Sequence, residues 1–502
     1  MYKPQQIKIN NFFGGISDDP RKSSATEFQI TKHFDIFSQP NRLIPYRSLE
    51  ADTNDGSTAT GMKQYFVRDF LYASTSAKLY GLGQTGSGKT KIVYKADATT
   101  GNWTLPANSE GNGAVQNGCF VEYKDYLWGF QGTNQIWKYG TLSGTPSITN
   151  SASTVGSTIT SVANGIIAAD GTLYLAYNNV IVRVAPSGTI TDSAKTVPDT
   201  YKITSLTNYG SYLAIGCSPT STYNGKSKVF IWNLSSDLFS ETIDWGEGEL
   251  RILEFVEGIL VGVTDRYLNN STGAGKGSMI IQQGVSGGSA QVLKEVFTQA
   301  LTGKTIPLSK TVKNNRLFWS AKIMTNSSGT EYDEGIWSFG RKNSSYPFAL
   351  TLDIVCEDAN TSGIQGFTNA ANYFFIAHSN DGSISKTNDA TTHTYTSIYE
   401  SQIFSLDDPS ITKQLKKFTI FTSPIPSGGS ITVKYKVDDD TSWTTIGSLS
   451  TAGELSRDFY SIEATDTQFA TFKEVKFRFE STGGAEITGY KFDILPLIGS
   501  TD

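Results

Sequence analysis

SAKLYGLGQTGSGKTKIVYKA, residues 76–96, is the stretch whose reading decides the fold class of this chain. Its centre, GQTGSGKT (83–90), satisfies the phosphate-loop pattern G-x-x-x-x-G-K-[ST], with Gly83, Gly88, Lys89 and Thr90 in the defining places. A working phosphate loop follows a buried strand and opens a helix whose positive end meets the phosphates. Residues 91–96 instead alternate and are β-branched, and ATTGNW stops them before a helix of ten residues fits. The preceding SAKLYGL reads as short and polar rather than as a central parallel strand. A second carboxylate for magnesium is equally hard to place, because Asp265 ends GILVGVTD, which reads as the strand of a later repeat. The octamer is therefore expected to be a glycine-rich hairpin turn that matches the pattern by chance, with no nucleotide or other cofactor.

The hairpin belongs to a series. A polar turn followed by an aromatic-rich strand recurs as RDFLYAS, KDYLWGF, DGTLYLAY, YGSYLAIG, VEGILVGVT, NNRLFWSA and NYFFIAH, anchored on Leu71, Leu127, Leu173, Leu213, Leu260, Leu317 and Phe374. A further strand follows each anchor (KIVYKA, QIWKYG, VIVRVA, VFIWNL) and a short apolar segment precedes it, as in GCFVEY and ILEFVE. About four strands per unit, repeated every 40 to 57 residues, is the pattern of a β-propeller. One such sheet exposes two apolar faces, and packing in a ring buries both. Seven blades are expected over residues 58–398, within a range of six to eight; a solenoid or two stacked sandwiches would carry the same degenerate pattern.

Composition agrees with an all-β chain. Among 502 residues there are 48 Gly, 12% aromatics and 4 Met, and charged residues make up 18%, below the usual quarter. The net charge of −5, with no run of basic residues, argues against a nucleic-acid-coating surface. Cys119, Cys217 and Cys356 are widely spaced and form neither a disulfide framework nor a zinc motif. The opening MYKPQQIKINNFFGG lacks an apolar core, which argues against Sec export, and no stretch approaches 18 apolar residues, so no membrane span is expected.

The flanks read differently. Residues 1–57 begin with a turn-rich segment around Phe12, Phe13, Gly14 and Gly15, where the glycines permit a sharp bend. Two strands, QITKHFDIF and NRLIPYRSL, follow, and they either lie on the propeller or help to close it. The tip reads as an extended arm that orders against a neighbour, or as a plain surface strap. Residues 399–502 alternate cleanly, as in Ile431, Val433, Tyr435 and Val437, and are expected to form a β-sandwich.

Catalytic chemistry has little to stand on. His33, His378 and His393 lie in different segments without a catalytic motif. Asp438, Asp439 and Asp440 are successive and point to alternating sides, which suits a solvated turn better than a calcium loop. IDWGEGELRILEF brings Asp244, Glu247 and Glu249 close in sequence; a glycosidase needs two such carboxylates, whereas an exposed loop over Trp245 is the ordinary alternative. SNDGSIS (379–385) misses the sialidase box by one place.

Two stretches resemble structural tail proteins of tailed bacteriophages: NNFFGGISDDPRKSSATEFQITKHFDIFSQPNRLIPYRSLE near the start, and YESQIFSLDDPSITKQLKKFTIFTSPIPSGGSITVKYKVDDDTSWTTIG from residue 399. Together they span roughly 90 of 502 residues. The resemblance implies a non-enzymatic virion component of the nozzle or tail-hub type. It would be made in the host cytoplasm and assembled in several copies around the tail axis beside other tail or portal-adaptor proteins. Two alternatives are a module that grips host surface glycans through exposed aromatics such as Trp443, and a propeller-type glycoside hydrolase acting through Glu247 and its neighbours.

Overall fold

The computed structural model describes residues 5–17, 26–52, 67–98, 101–106, 108–114, 116, 119–220, 225–267, 277–298, 305–321, 324–325, 331–332, 335–356, 364–378, 383–387, 393–405, 409–460 and 470–497. Strands are the regular elements among these residues, and there is no helix. Runs of β-branched and aromatic residues too short for helical turns, closed by Gly, Asn and Asp in left-handed conformations, leave the chain no other option.

Seven antiparallel meanders follow one another. Sheet 1 contains Asp69–Ala73, Lys78–Gln84, Lys89–Lys95 and Trp103–Thr104, with Glu110–Ala114 also on the third strand. Sheet 2 runs Val121–Tyr123, Tyr126–Gln131, Gln135–Gly140 and Ser147–Thr154. Sheet 3 runs Val162–Ile167, Leu173–Tyr177, Val180–Val184 and Ile190–Thr196. Sheet 4 comprises Tyr201–Tyr209, Tyr212–Pro219, Lys226–Trp232 and Glu241–Glu247. In sheet 5 the strands are Glu249–Val256, Ile259–Tyr267, Gly277–Gly284 and Gln291–Thr298. Sheet 6 has Thr305–Lys313, Arg316–Ala321, Gly335–Gly340 and Ala349–Val355. Sheet 7 has Ile364–Ala370, Tyr373–His378 and Ile384–Thr387, and takes its fourth strand, Leu49–Ala51, from the N-terminal segment.

Each sheet is apolar on both faces, and each face is buried by a neighbour. Tyr80 and Leu82 of sheet 1 pack with Leu127 and Trp137 of sheet 2. Phe130 of sheet 2 meets Leu175 of sheet 3, and Tyr174 of sheet 3 meets Ile215 and Phe230 of sheet 4. Ile231 and Trp245 of sheet 4 pack with Leu250 and Leu260 of sheet 5. Sheet 5 continues to sheet 6 through Met279 and Trp319, and sheet 6 to sheet 7 through Phe318 and Phe374. Phe375 and Ile384 of sheet 7 share a cluster with Phe70, Leu79 and Val93 of sheet 1.

The sequence anchors fall on the second strand in sheets 2 to 7, but Leu71 falls on the first strand of sheet 1. The second strand there is Lys78–Gln84, with Leu79, Tyr80 and Leu82 buried. This strand is antiparallel to both its neighbours, so it is not the parallel strand that leads into a phosphate loop. At Gly81 a Cβ would stand 2.9 Å from Val93 Cγ2 and 3.1 Å from Val67 Cγ1, so neighbouring methyls fill its place.

The N-terminal segment is not a free arm. Gln5–Ile9 pairs with Ile487–Pro496 near the other end of the chain. Phe12 is fully buried with its ring edge-on to Tyr399 at 5.4 Å, and Phe13 lies 5.3 Å from Tyr346. A Cβ on Gly14 would fall 2.8 Å from the Glu27 nitrogen, and one on Gly15, at φ +75°, 2.7 Å from the Leu350 nitrogen. These four residues hold the segment inside its own chain, and the remaining tip, residues 18–25, lies outside the described residues.

Glu27–Lys32 is inserted between the last strand of sheet 6, parallel to it, and Ser397–Ser401, antiparallel to it. Val475–Thr482, Ser430–Val437 and Thr444–Leu449 continue the same ten-stranded sheet. Across it stands a five-stranded sheet containing Gln5–Ile9, Ile487–Pro496, Lys413–Thr422 and Ser456–Tyr460. Phe418 and Phe492 from the latter meet Phe477 of the former at 4.8 Å each. A cut at 57 or 398 therefore separates residues that the sheets join: Leu49–Ala51 belongs to sheet 7, and Ser397–Ser401 crosses the second boundary.

Candidate functional site

The first strands of sheets 3 to 6 lie side by side, and their polar side chains form a largely buried polar cluster across the sheets. The Asn164 carboxamide of sheet 3 closes on the Leu206 backbone of sheet 4, Nδ2 donating to its carbonyl and Oδ1 accepting from its N–H, both at 2.9 Å. Tyr201–Tyr209 is an edge strand of sheet 4, so one side of its backbone is free of the ladder. Ser205 Oγ accepts from Leu253 N of sheet 5 at 3.1 Å, and Thr207 Oγ1 donates to Glu254 at 2.6 Å. From sheet 6, Lys310 Nζ donates to Leu253 O at 2.6 Å, to Ser205 Oγ at 3.2 Å, and pairs with Glu254 at 3.0 Å.

Ser205 and Lys310 have the composition of a serine–lysine nucleophile pair, but not its wiring. The Lys310 ammonium donates to Ser205 and is held by a carbonyl and a carboxylate, so no lone pair faces the hydroxyl. The cluster links four sheets whose adjoining strands share no ladder. Its chemistry is cross-linking.

Asp69, at the start of the first strand of sheet 1, is a buried carboxyl that accepts from Phe70 N at 2.8 Å. Burial raises its pKa to about 7. The Cys119 thiol is pushed well above its ordinary value by burial and then by the charge of Asp69, which leaves it inert as a nucleophile. Neither the Lys310 cluster nor Asp69 was found from the sequence. Each is an ordinary polar residue within a strand, and only the meeting of strands from different repeats gives it neighbours.

The acids singled out from the sequence separate. Asp244, exposed on the last strand of sheet 4, pairs with Lys228 at 3.0 Å, and Glu247 is also exposed. Glu249 turns inward and meets Asp265, its partner across the first two strands of sheet 5. Arg251 bridges them, contacting Glu249 and standing 3.3 Å from Asp265, and Lys202 adds a pair with Glu249 at 3.0 Å. Two carboxylates neutralised by two cations make an ion-pair network rather than an acid and base flanking a glycosidic bond. Trp245 packs under this turn as expected, on Gly262 and Gly284, where a Cβ would come 2.5 Å and 2.9 Å from its ring.

GQTGSGKT is the turn between two antiparallel strands, Gln84 opposite Thr90. Its amides are spent locally: Gly88 N donates to Thr85 O and Thr85 N to Lys89 O, both at 2.8 Å, and Lys89 N to Thr85 Oγ1 at 3.0 Å. Thr90 Oγ1 donates to Gly113 O at 3.1 Å and the Lys89 ammonium lies 3.6 Å from Glu110. Gly83 sits within the strand, and Gly88, at φ +84°, makes the turn. No cradle of inward N–H groups forms.

The histidines have separate partners: His33 stacks on Tyr395, His378 Nε2 meets Ser385 Oγ at 2.9 Å, and His393 Nδ1 meets Tyr46 O at 2.9 Å. Asp438 accepts from the backbone N–H groups of Lys473 and Glu474, at 2.9 and 2.8 Å, which ties a turn rather than a cation. Cys119 and Cys217 are buried, and Cys356 is partly so. Among the described residues no group of three His, Cys, Asp or Glu side chains is placed to hold a metal. Trp443 lies among cations, with Lys476 Nζ at 5.2 Å, Arg478 Cζ at 5.8 Å and Lys436 Nζ at 5.9 Å from its ring centre. Of SNDGSIS, residues 379–382 lie outside the described residues.

No protein-family model matches this chain, and no curated protein does. Among solved structures it is similar to the WD40 domain of Neurospora crassa Pan2, at 9% identity over 69% of this chain and 95% of that one, with a TM-score of 0.40. It is also similar to virginiamycin B lyase from Staphylococcus aureus (12% identity, 68% and 97% covered, TM-score 0.41) and to Kuenenia stuttgartiensis hydrazine synthase (11%, 66% and 98%, 0.42). The chain is all-β, with propeller-type folds among its structural neighbours.

Proposed function

We propose that this chain is a non-enzymatic structural protein of a bacteriophage tail, of the nozzle or hub type, present in several copies around the tail axis. In this reading sheets 1 to 7 are the blades of a seven-bladed propeller, closed by Leu49–Ala51, and the two C-terminal sheets are a β-sandwich fused to it. The observation that carries the reading is the meeting of the two tail-like stretches. Glu27–Lys32 from the first pairs with Ser397–Ser401, where the second begins, so the segments that carry the resemblance form one junction. That junction makes sheet 6 and the C-terminal strands a single ten-stranded sheet, a continuous hydrogen-bonded connection that suits a structural part. Ser205, Glu249, Glu254 and Asp265 are engaged in cross-links between strands and sheets, which favours a structural role over a hydrolase.

Electron microscopy of purified particles tests this. A ring of copies on the tail axis, each with seven blades and an attached sandwich, is the expected density. Particles that lack the chain, or glycan cleavage by the purified protein that Glu247→Gln abolishes, would overturn it.

A further inference from the structure

We propose that a cavity between the N-terminal strand and the C-terminal sheet binds an acidic sugar, a uronic-acid unit of a glycan. This site is distinct from Trp443 and does not depend on the virion reading. The cavity, of ≈ 450 Å³, is lined by Lys8, Asn10, Asn11, Asn41, Phe421 and Thr488, a size suited to one or two sugar rings. It exists because Gln5–Ile9 adds to the edge of Ile487–Pro496, next to Lys413–Thr422. Phe421 lies opposite Gly489, where a Cβ would stand 2.7 Å from Ile9 O and 3.3 Å from Asn10 Cα. A side chain there would push Asn10 and its neighbours off the sheet.

The lining has the chemistry of saccharide recognition. Phe421 is a half-exposed ring on a rigid strand, able to take the C–H face of a pyranose. Among the described residues, the side chains of Asn10, Asn11, Asn41, Thr488 and Lys8 make no hydrogen bond or ion pair within the chain. Three carboxamides, each both donor and acceptor, match vicinal hydroxyls, which also both donate and accept. Charge selects the acid. Lys8 lies opposite Lys491 across the strand pair, and Lys491 Nζ is 5.8 Å from the Phe421 ring centre, so two ammonium groups stand at one aromatic platform. Asp493, further along that face, accepts from Gln6 Nε2 at 2.8 Å.

The test is calorimetric titration of the full chain with a glucuronic-acid disaccharide, its glucose counterpart, and inorganic phosphate at matched ionic strength. Saturable binding of the acidic disaccharide is expected, with the neutral one about ten-fold weaker, the size of one charge-assisted hydrogen bond. Phe421→Ala should weaken binding at least about ten-fold. Asn10→Ala with Asn11→Ala, on exposed and half-exposed positions that leave the fold intact, should do the same at unchanged melting temperature. No saturation by the acidic sugar, equal affinity for the neutral one, full competition by phosphate, or unchanged binding in the double asparagine variant would each overturn the assignment.

Discussion

Sheet 4 and sheet 7 have the same architecture but different origins. All four strands of sheet 4 lie within residues 201–247, each hydrogen-bonded to the next in sequence. Sheet 7 takes three strands from residues 364–387 and its fourth from residues 49–51. A local meander closes its loops at little entropic cost, whereas the remote strand must be held by something stronger than a short ladder. Asp52, the residue after that strand, holds it. Its carboxylate pairs with Lys95 of sheet 1 at 2.8 Å, both side chains fully buried, and accepts from Trp103 Nε1 at 3.0 Å. A second buried tie fixes the same segment to sheet 6, where Arg316 contacts Asp353 at 3.5 Å, Asp35 at 3.6 Å and the Tyr46 hydroxyl at 3.2 Å. Buried charge thus reinforces the attachment of this remote strand, which its short ladder alone would hold weakly.

Breaking the attachment at its strongest point should have the largest effect. Asp52→Ala leaves the Lys95 ammonium buried and alone, with an expected loss of about 3–5 kcal/mol. Lys95→Met added to it should recover much of that loss, read as the melting midpoints of a double-mutant cycle. If the single variant melts like the parent, the strand is not held by this pair.

Phe12→Ala removes a fully buried ring beside Tyr399 and should cost about 3 kcal/mol. Hydrogen exchange should localise the damage. Residues 5–17 and Ser397–Ser401 are expected to lose protection while sheets 2 to 4 keep theirs; uniform loss would show that the two kinds of region unfold as one.

Asp69 sharpens the contrast within the local sheets. Its folded pKa of about 7 lies above the unfolded value, so the folded state holds the extra proton. The Asp69 contribution to stability is fully present below the unfolded carboxylate range, is lost as pH rises toward 7, and levels off above it. Asp69→Asn should flatten that slope and stabilise the chain at pH 8, on the order of 2 kcal/mol, with little effect near pH 4. A parent-like slope in the variant would assign the titration elsewhere. Smallest of all, Lys89→Ala changes an exposed hairpin side chain and should shift stability by less than about 0.5 kcal/mol. ATP should leave the melting temperature of the parent unchanged, and an ATP-dependent rise would restore the phosphate-loop reading.

The local part of the fold was legible for a physical reason. Strand alternation and turn residues report on neighbours a few positions away, and the anchors from Leu127 to Phe374 sit in equivalent strands because each meander is built from adjacent sequence. The one misplaced anchor, Leu71, lies on the first strand of sheet 1 rather than the second. The Phe12–Gly15 segment left two readings open, an arm that orders against a neighbour and a surface strap, because its partners within the chain, Tyr399, Tyr346, Glu27 and Leu350, are mostly hundreds of residues away.

By itself, the sequence determined that this chain is built of β-strands in repeated antiparallel units with an alternating C-terminal part, since period and turn chemistry are properties of short segments. It also determined that GQTGSGKT would be a turn, because the residues after it cannot form the helix that phosphate binding needs. Tertiary structure alone decided where Glu27–Lys32 and Leu49–Ala51 pair, how Asn164, Ser205, Glu254 and Lys310 come to link four sheets, and that three asparagines and Phe421 share a cavity. Those arrangements depend on contacts between distant segments. A one-dimensional pattern carries the strength of each strand but not the identity of its partner.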